Sequence, residues 1–261
     1  MNAAIPRHPL TLPDIIAAAF QVYVHDPLTF LVLALPKAAF VLALTLGNMA
    51  AFDALGLNDK ASSDGNLGFG ASLVTALALL TGLVLSIGAD TFGDSFLVPA
   101  ALARLQGKPA GAKSALACWR RLAGPALIVS LLIGVRVAAA ALTLVLLPVA
   151  VFLYVRWSLA IPALVAERRG AGGSLARSAQ LVSGGWWRVF GVIVAVAALT
   201  LAPQAGLQRA FSSADLVVSS AALFLAAWLV APFAAIARTL LYLAVLQRKG
   251  SAAQPPTTLV S

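Results

Sequence analysis

Six apolar runs constrain this chain more than any other feature, because each is long enough to cross about 30 Å of hydrocarbon as a helix. They cover roughly residues 28–49, 72–106, 125–147, 149–165, 189–205 and 216–246. Hydrocarbon offers no water to backbone N–H and C=O groups, so a span of this kind must satisfy them within its own helix. The composition agrees. Only 10% of the 261 residues are charged, against roughly 25% in soluble domains, and the mean hydropathy is +0.95. The sequence therefore predicts an all-α integral membrane protein. Residues 1–250 form a single polytopic membrane domain, and 251–261 form a disordered C-terminal tail containing Pro255 and Pro256. Arg7 and His8 precede an amphipathic segment rather than a short apolar core with a small-residue cleavage site, so no cleavable signal is expected.

Between the runs lie shorter amphipathic segments. Residues 11–25 read as an interfacial helix opened by a Thr11–Asp14 capping box with Pro13 in its first turn. Leu12, Ile15, Ile16, Ala19, Phe20 and Tyr23 fall on one face, and Asp26-Pro27 ends the helix. Residues 112–122 and 174–183 read as two further surface helices. Each of the three precedes two spans, giving six transmembrane helices in three hairpins, each preceded by an amphipathic interfacial helix and running in the same sense. The stretches 104–122, 166–188 and 247–249 are basic, 50–71 is acidic and 206–215 is neutral. Lys and Arg collect in cytoplasmic loops, which predicts a multi-pass protein of the cytoplasmic (inner) membrane with both termini cytoplasmic. The same rule accounts for the formal charge of +9 without nucleic acid as a partner.

The region 148–191 also carries a resemblance. Arg156-Trp157, then Pro162 and Glu167, then Leu175, Ser178 and Leu181, then Gly185, Trp187 and Arg188 follow one another in order. Leu12-Pro13-Asp14-Ile15-Ile16 with Ala19, Phe20 and Tyr23 near the start extends the pattern, as does Ala231-Pro232-Phe233 through Thr239-Leu240-Leu241-Tyr242 near the end. Together these segments resemble the glycerophosphoryl diester phosphodiesterase membrane-domain family. The family often carries an acid and an arginine just after the final Tyr, where Ala244 and Leu246 stand here. The resemblance implies the membrane part alone, because a catalytic domain of that kind needs His and several acids around a divalent metal. His8 and His25 are the only histidines.

Ionisable groups inside the membrane are expensive, and they are functional candidates by default. Lys37, Asp90, Asp94, Arg136, Arg156 and Arg238 form a candidate intramembrane charge network. Counted from the cytoplasmic edge, Lys37, Arg136 and Arg156 lie roughly 15 to 18 Å deep, with Asp90, Asp94 and Arg238 nearer the inner leaflet. The two acids are four residues apart, on one helix face, where a cation is needed between them. Arg238 is the first expected partner and Arg156 the second. Interfacial lipid contacts are expected from Lys113, Trp119, Arg120, Arg121, Arg168, Arg169, Arg177, Trp186, Trp187 and Arg188.

Cys118 is the only cysteine, which excludes an intrachain disulfide and a CxxC metal site. No catalytic motif or metal-ligand cluster is legible, so no catalytic residue, metal or cofactor is expected. Three functions compete. The chain is a non-catalytic lipid-binding or scaffolding module, whose partners are anionic membrane lipids and a membrane or cytoplasmic protein of unknown identity. Alternatively it transports or exports a lipid or small anionic substrate through a positively charged interior. The third reading is a membrane enzyme without a known motif.

Overall fold

A computed structural model of the chain describes residues 11–54, 69–108, 111–141, 146–211 and 216–253. Among them there is no strand, and the helices are α1 (Leu12–His25), α2 (Pro27–Ala54), α3 (Phe69–Leu105), α4 (Ala112–Ala141), α5 (Leu147–Trp157), α6 (Ala160–Glu167), α7 (Ala171–Val182), α8 (Trp186–Ala210) and α9 (Leu216–Ala253). Six helical stretches are long and apolar enough to span a membrane, with α5 and α6 together making the fourth. The described residues are thus all-helical in their regular structure, with six apolar stretches of spanning length.

Several boundaries differ from the sequence reading. Residues 112–122 are not a separate surface helix but the first turns of α4, which runs unbroken through Pro125. Asp53 is helical, and the rest of the predicted polar loop at 55–68 lies outside the described residues. Likewise α9 stays helical to Ala253, and residues 254–261 of the predicted tail lie outside them.

The fourth span is interrupted at Ser158 and Leu159. Pro162 has no N–H to give the Ser158 carbonyl, so one rung of the helix is missing there. Beside that break, α7 bonds two other backbone groups of the interrupted turn: the Ser178 hydroxyl donates to the Arg156 carbonyl at 2.8 Å and accepts from the Leu159 N–H at 3.2 Å. Ser178 is flanked on the buried face of α7 by Leu175, Leu181 and Val182.

Consecutive spans pack on one another, α2 on α3, α4 on α5 and α8 on α9, but the most extensive contact joins α3 to α4. Gly134 permits that approach, since a Cβ there would lie 2.8 Å from the Val84 carbonyl oxygen. The first and last spans close on each other, α2 along α9, and Trp228 donates to the Leu31 carbonyl across that contact. Helix α1 is capped by Thr11, whose N–H donates to the Asp14 carboxylate at 2.8 Å. Its apolar stripe is divided: Ile15 and Ala19 are buried, with α9 the main neighbour of the helix, while Phe20 stays exposed. The span in α8 is the least buried of the six, and only 17% of its most apolar window is covered by protein.

Candidate functional site

Two acids one turn apart on α3 organise the interior. Asp90 and Asp94 face Lys37 on α2 and Arg238 on α9, so three spans are tied at one level. The Lys37 Nζ donates to Asp90 Oδ1 and to Asp94 Oδ1, both at 2.7 Å. Arg238 Nη2 donates to Asp90 Oδ2 at 2.9 Å and Nη1 to Asp94 Oδ2. All four carboxylate oxygens therefore accept from a cation, and two positive charges match two negative ones. Tyr154 on α5 completes the group, its hydroxyl oxygen lying 3.4 Å from Arg238 Nη2.

The chain builds this cluster through Gly93. A Cβ at that position would run into the Lys37 stem, so the missing side chain lets lysine lie across α3 between the two acids. Lys37 lies ten residues beyond Pro27, and Asp94 eleven residues before Leu105. At 1.5 Å per residue both are about 15 Å from those helix ends. The expectation that the acids lie shallower than Lys37 is therefore wrong, since direct contact places all four groups at one depth.

Arg136 and Arg156 do not join the cluster. Both are exposed. The Arg136 guanidinium lies over the Trp157 ring at 5.3 Å from its centroid, a cation–π contact. The second expected partner of the acids, Arg156, contributes only its backbone carbonyl, to Ser178. The sequence reading missed Lys37 as the second cation of the pair, and it missed Tyr154 altogether. The one signal for the former was glycine between two acids, which leaves room for a long side chain.

Beside the cluster lies a cavity of about 390 Å³. Lys37, Asp90, Tyr154 and Arg238 form its polar part, and α8 and α9 supply an apolar wall that includes Val192, Val196, Ala227 and Ala231. Thr200 and Gln204 add polar groups farther along α8. Within the cluster Asp94 is closed off at 4% side-chain exposure, whereas Asp90 reaches 39%. Of the two acids, Asp90 is the one that lines the cavity.

A second polar cluster lies at the end of α6. Glu167 accepts from Arg177 Nε at 2.8 Å, from Arg169 Nε at 2.6 Å and from the Tyr242 hydroxyl at 3.0 Å. It ties α6 to α7 and α9. Arg169 and Arg177, expected at lipid headgroups, are thus engaged with a carboxylate.

Of the other expected interfacial residues, Lys113, Arg120, Arg121, Arg168 and Arg188 are exposed, and Trp187 is 77% exposed. Trp119 points the other way. Its ring stacks on Phe96 with centroids 4.1 Å apart, and its Nε1 donates to the Ser95 hydroxyl at 2.9 Å. Trp186 is half-buried and stacks on Phe152 and Phe190. A groove of about 600 Å³ runs between α1, α8 and α9 at the same end of the bundle. Its floor includes Ile15, Val192, Leu241 and Val245, and its rim carries Thr11, Trp187, Arg188 and Arg248.

Among the described residues, no group of three or more His, Cys, Asp or Glu side chains is gathered as a metal site. Compared with known proteins, the chain matches no family model, no curated protein and no solved structure.

Proposed function

We propose that this chain is a non-catalytic lipid-binding module of the cytoplasmic membrane, related to the membrane domains that the motifs in 148–191 resemble. The observation that supports this most is the groove between α1, α8 and α9. It pairs an apolar floor with two guanidinium groups, and its described lining contains no carboxylate. Trp187 beside it has the amphipathic ring that favours the headgroup level. An anionic phospholipid fits this arrangement: its acyl chain follows Val192 and Leu241, and its phosphate meets Arg188 and Arg248. Ala244, where the resembled family often carries an acid, lines the same groove and leaves it uniformly basic.

In this reading the six spans form three hairpins, each introduced by an amphipathic segment, with both termini and the groove on the cytoplasmic side. Basic residues concentrated near 104–122 and 166–188 support that orientation. Export of an anion through a positively charged interior has less support, because Arg136 and Arg156 are exposed and the interior cations are matched two for two by acids.

Native mass spectrometry of the detergent-extracted protein tests the proposal. Phosphatidylglycerol should be retained by the wild type and lost from the Arg188→Gln/Arg248→Gln variant. Equal retention by the two would refute the groove as the lipid site.

A further inference from the structure

We infer that the cavity beside the ion-pair cluster binds a zwitterionic phospholipid headgroup, its ammonium on Asp90 and its phosphate on Arg238 and Tyr154. Its polar end is lined by none of the groove's residues, although Val192 and Leu241 border both spaces.

Three features of the cavity lead there. The first is charge. Lys37 and Arg238 against Asp90 and Asp94 sum to zero at a depth of about 15 Å. An anion or a cation entering alone would leave a unit charge uncompensated inside the membrane, where it is costly. A zwitterion exchanges contact for contact and keeps every charge paired.

The second feature is access to the charges. Asp90 is open to the cavity while Asp94 is enclosed, so the cluster offers one carboxylate and keeps the other as internal anchor for both cations. Arg238 and Tyr154 border the same space, placing donors for a phosphate beside an acceptor for an ammonium. An uncharged polar group could hydrogen-bond to these charges but would bring no opposite charge to replace the ion-pair contact it displaces.

The third feature is the wall. Val192, Val196 and Ala197 of α8 face the cavity, and α8 is the span least covered by protein. The cavity thus borders the span with the least protein cover, and its apolar wall suits an acyl chain. The volume of about 390 Å³ falls within the ~300–1,000 Å³ usual for ligand pockets.

The test uses the full chain in detergent on an Arg188→Gln/Arg248→Gln background, so that lipid held by the groove does not count. Phosphatidylethanolamine and phosphatidylglycerol of matched chains are titrated and read by native mass spectrometry. The expected result is about a tenfold preference for phosphatidylethanolamine, the scale of one charge-assisted hydrogen bond. Ala197→Phe, which fills the cavity without touching a charge, should abolish that binding at an unchanged melting temperature. Asp90→Asn leaves the cluster with one surplus positive charge and should reverse the preference toward phosphatidylglycerol. Equal binding of the two lipids by the background variant would overturn the inference. So would retention by the Ala197→Phe variant, or free phosphoethanolamine competing as strongly as the intact lipid.

Discussion

Deleting Arg238 alone should harm the protein more than deleting it together with one acid. Arg238→Leu removes the donors to Asp90 Oδ2 and Asp94 Oδ2, leaving two carboxylates to share Lys37. The cluster then carries one uncompensated negative charge between three helices, about 15 Å from the ends of α2 and α3. Breaking a buried pair from one side costs about 3–5 kcal/mol, a fall in melting temperature on the order of 10 °C for a chain of this size. Arg238→Leu/Asp90→Asn restores neutrality, because Lys37 then faces Asp94 alone. Removing both acids with the arginine is not the right control, since it strands Lys37 as an unpaired cation. The expected order of thermal stability in detergent is therefore wild type, then Arg238→Leu/Asp90→Asn, then Arg238→Leu, with the triple variant no better than the single. If the double variant melts no higher than Arg238→Leu, the four groups do not form one charge-balanced unit.

Ser178→Ala should cost about 1–3 kcal/mol, because it leaves the Leu159 N–H and the Arg156 carbonyl without their partner at the break in the fourth span; thermal melting measures this. Gly134→Ala should destabilise by about 1–3 kcal/mol through overpacking, since its Cβ meets backbone at Val84 rather than a yielding side chain; Gly191→Ala, which meets nothing within 4 Å, is the matched control. In a Cys118→Ala background, Ala176→Cys, exposed on α7, should resist a membrane-impermeant thiol reagent in intact cells and react after lysis. Ser174 is unsuitable for that labelling because it is fully buried. Labelling of Ala176→Cys in intact cells would reverse the proposed orientation.

The spans were legible because length and hydropathy alone decide them, and the six apolar runs correspond to six apolar helical stretches. The Asp26-Pro27 break and the Thr11–Asp14 cap were legible too, since both are local effects of a few residues. The sequence reading ran the fourth span unbroken over 149–165; its break before Pro162, and the Ser178 bonds to neighbouring backbone groups, needed tertiary structure. The acids were placed too shallow because the end of α3 near Leu105 was read as projecting toward headgroups; counted from Leu105, Asp94 falls level with Lys37 counted from Pro27. Trp119 shows a related limit. Its neighbours Lys113, Arg120 and Arg121 are exposed, but a partner at Ser95 and a ring at Phe96 turn the indole inward. No property of residues 112–122 taken alone contains that information.

The cations of this chain divide by what surrounds them, and salt should separate the two groups. Arg188 and Arg248 rim a groove at the surface, where the Debye length falls from about 10 Å at 0.1 M salt to 3 Å at 1 M. Lys37 and Arg238 are 7% and 19% exposed and already in contact with their counter-charges. Mobile ions screen little at such separations inside protein. The described interior cluster is charge-neutral and presents no surplus field to select anions over cations. On the two proposals, lipid in the groove would be chosen by charge and lipid in the cavity by dipolar match. Raising salt from 0.1 to 1 M should release phosphatidylglycerol from the wild-type protein while leaving bound phosphatidylethanolamine nearly unchanged, read as lipid retained through size exclusion. If both lipids leave in parallel, they share one screened surface site and the cavity holds neither.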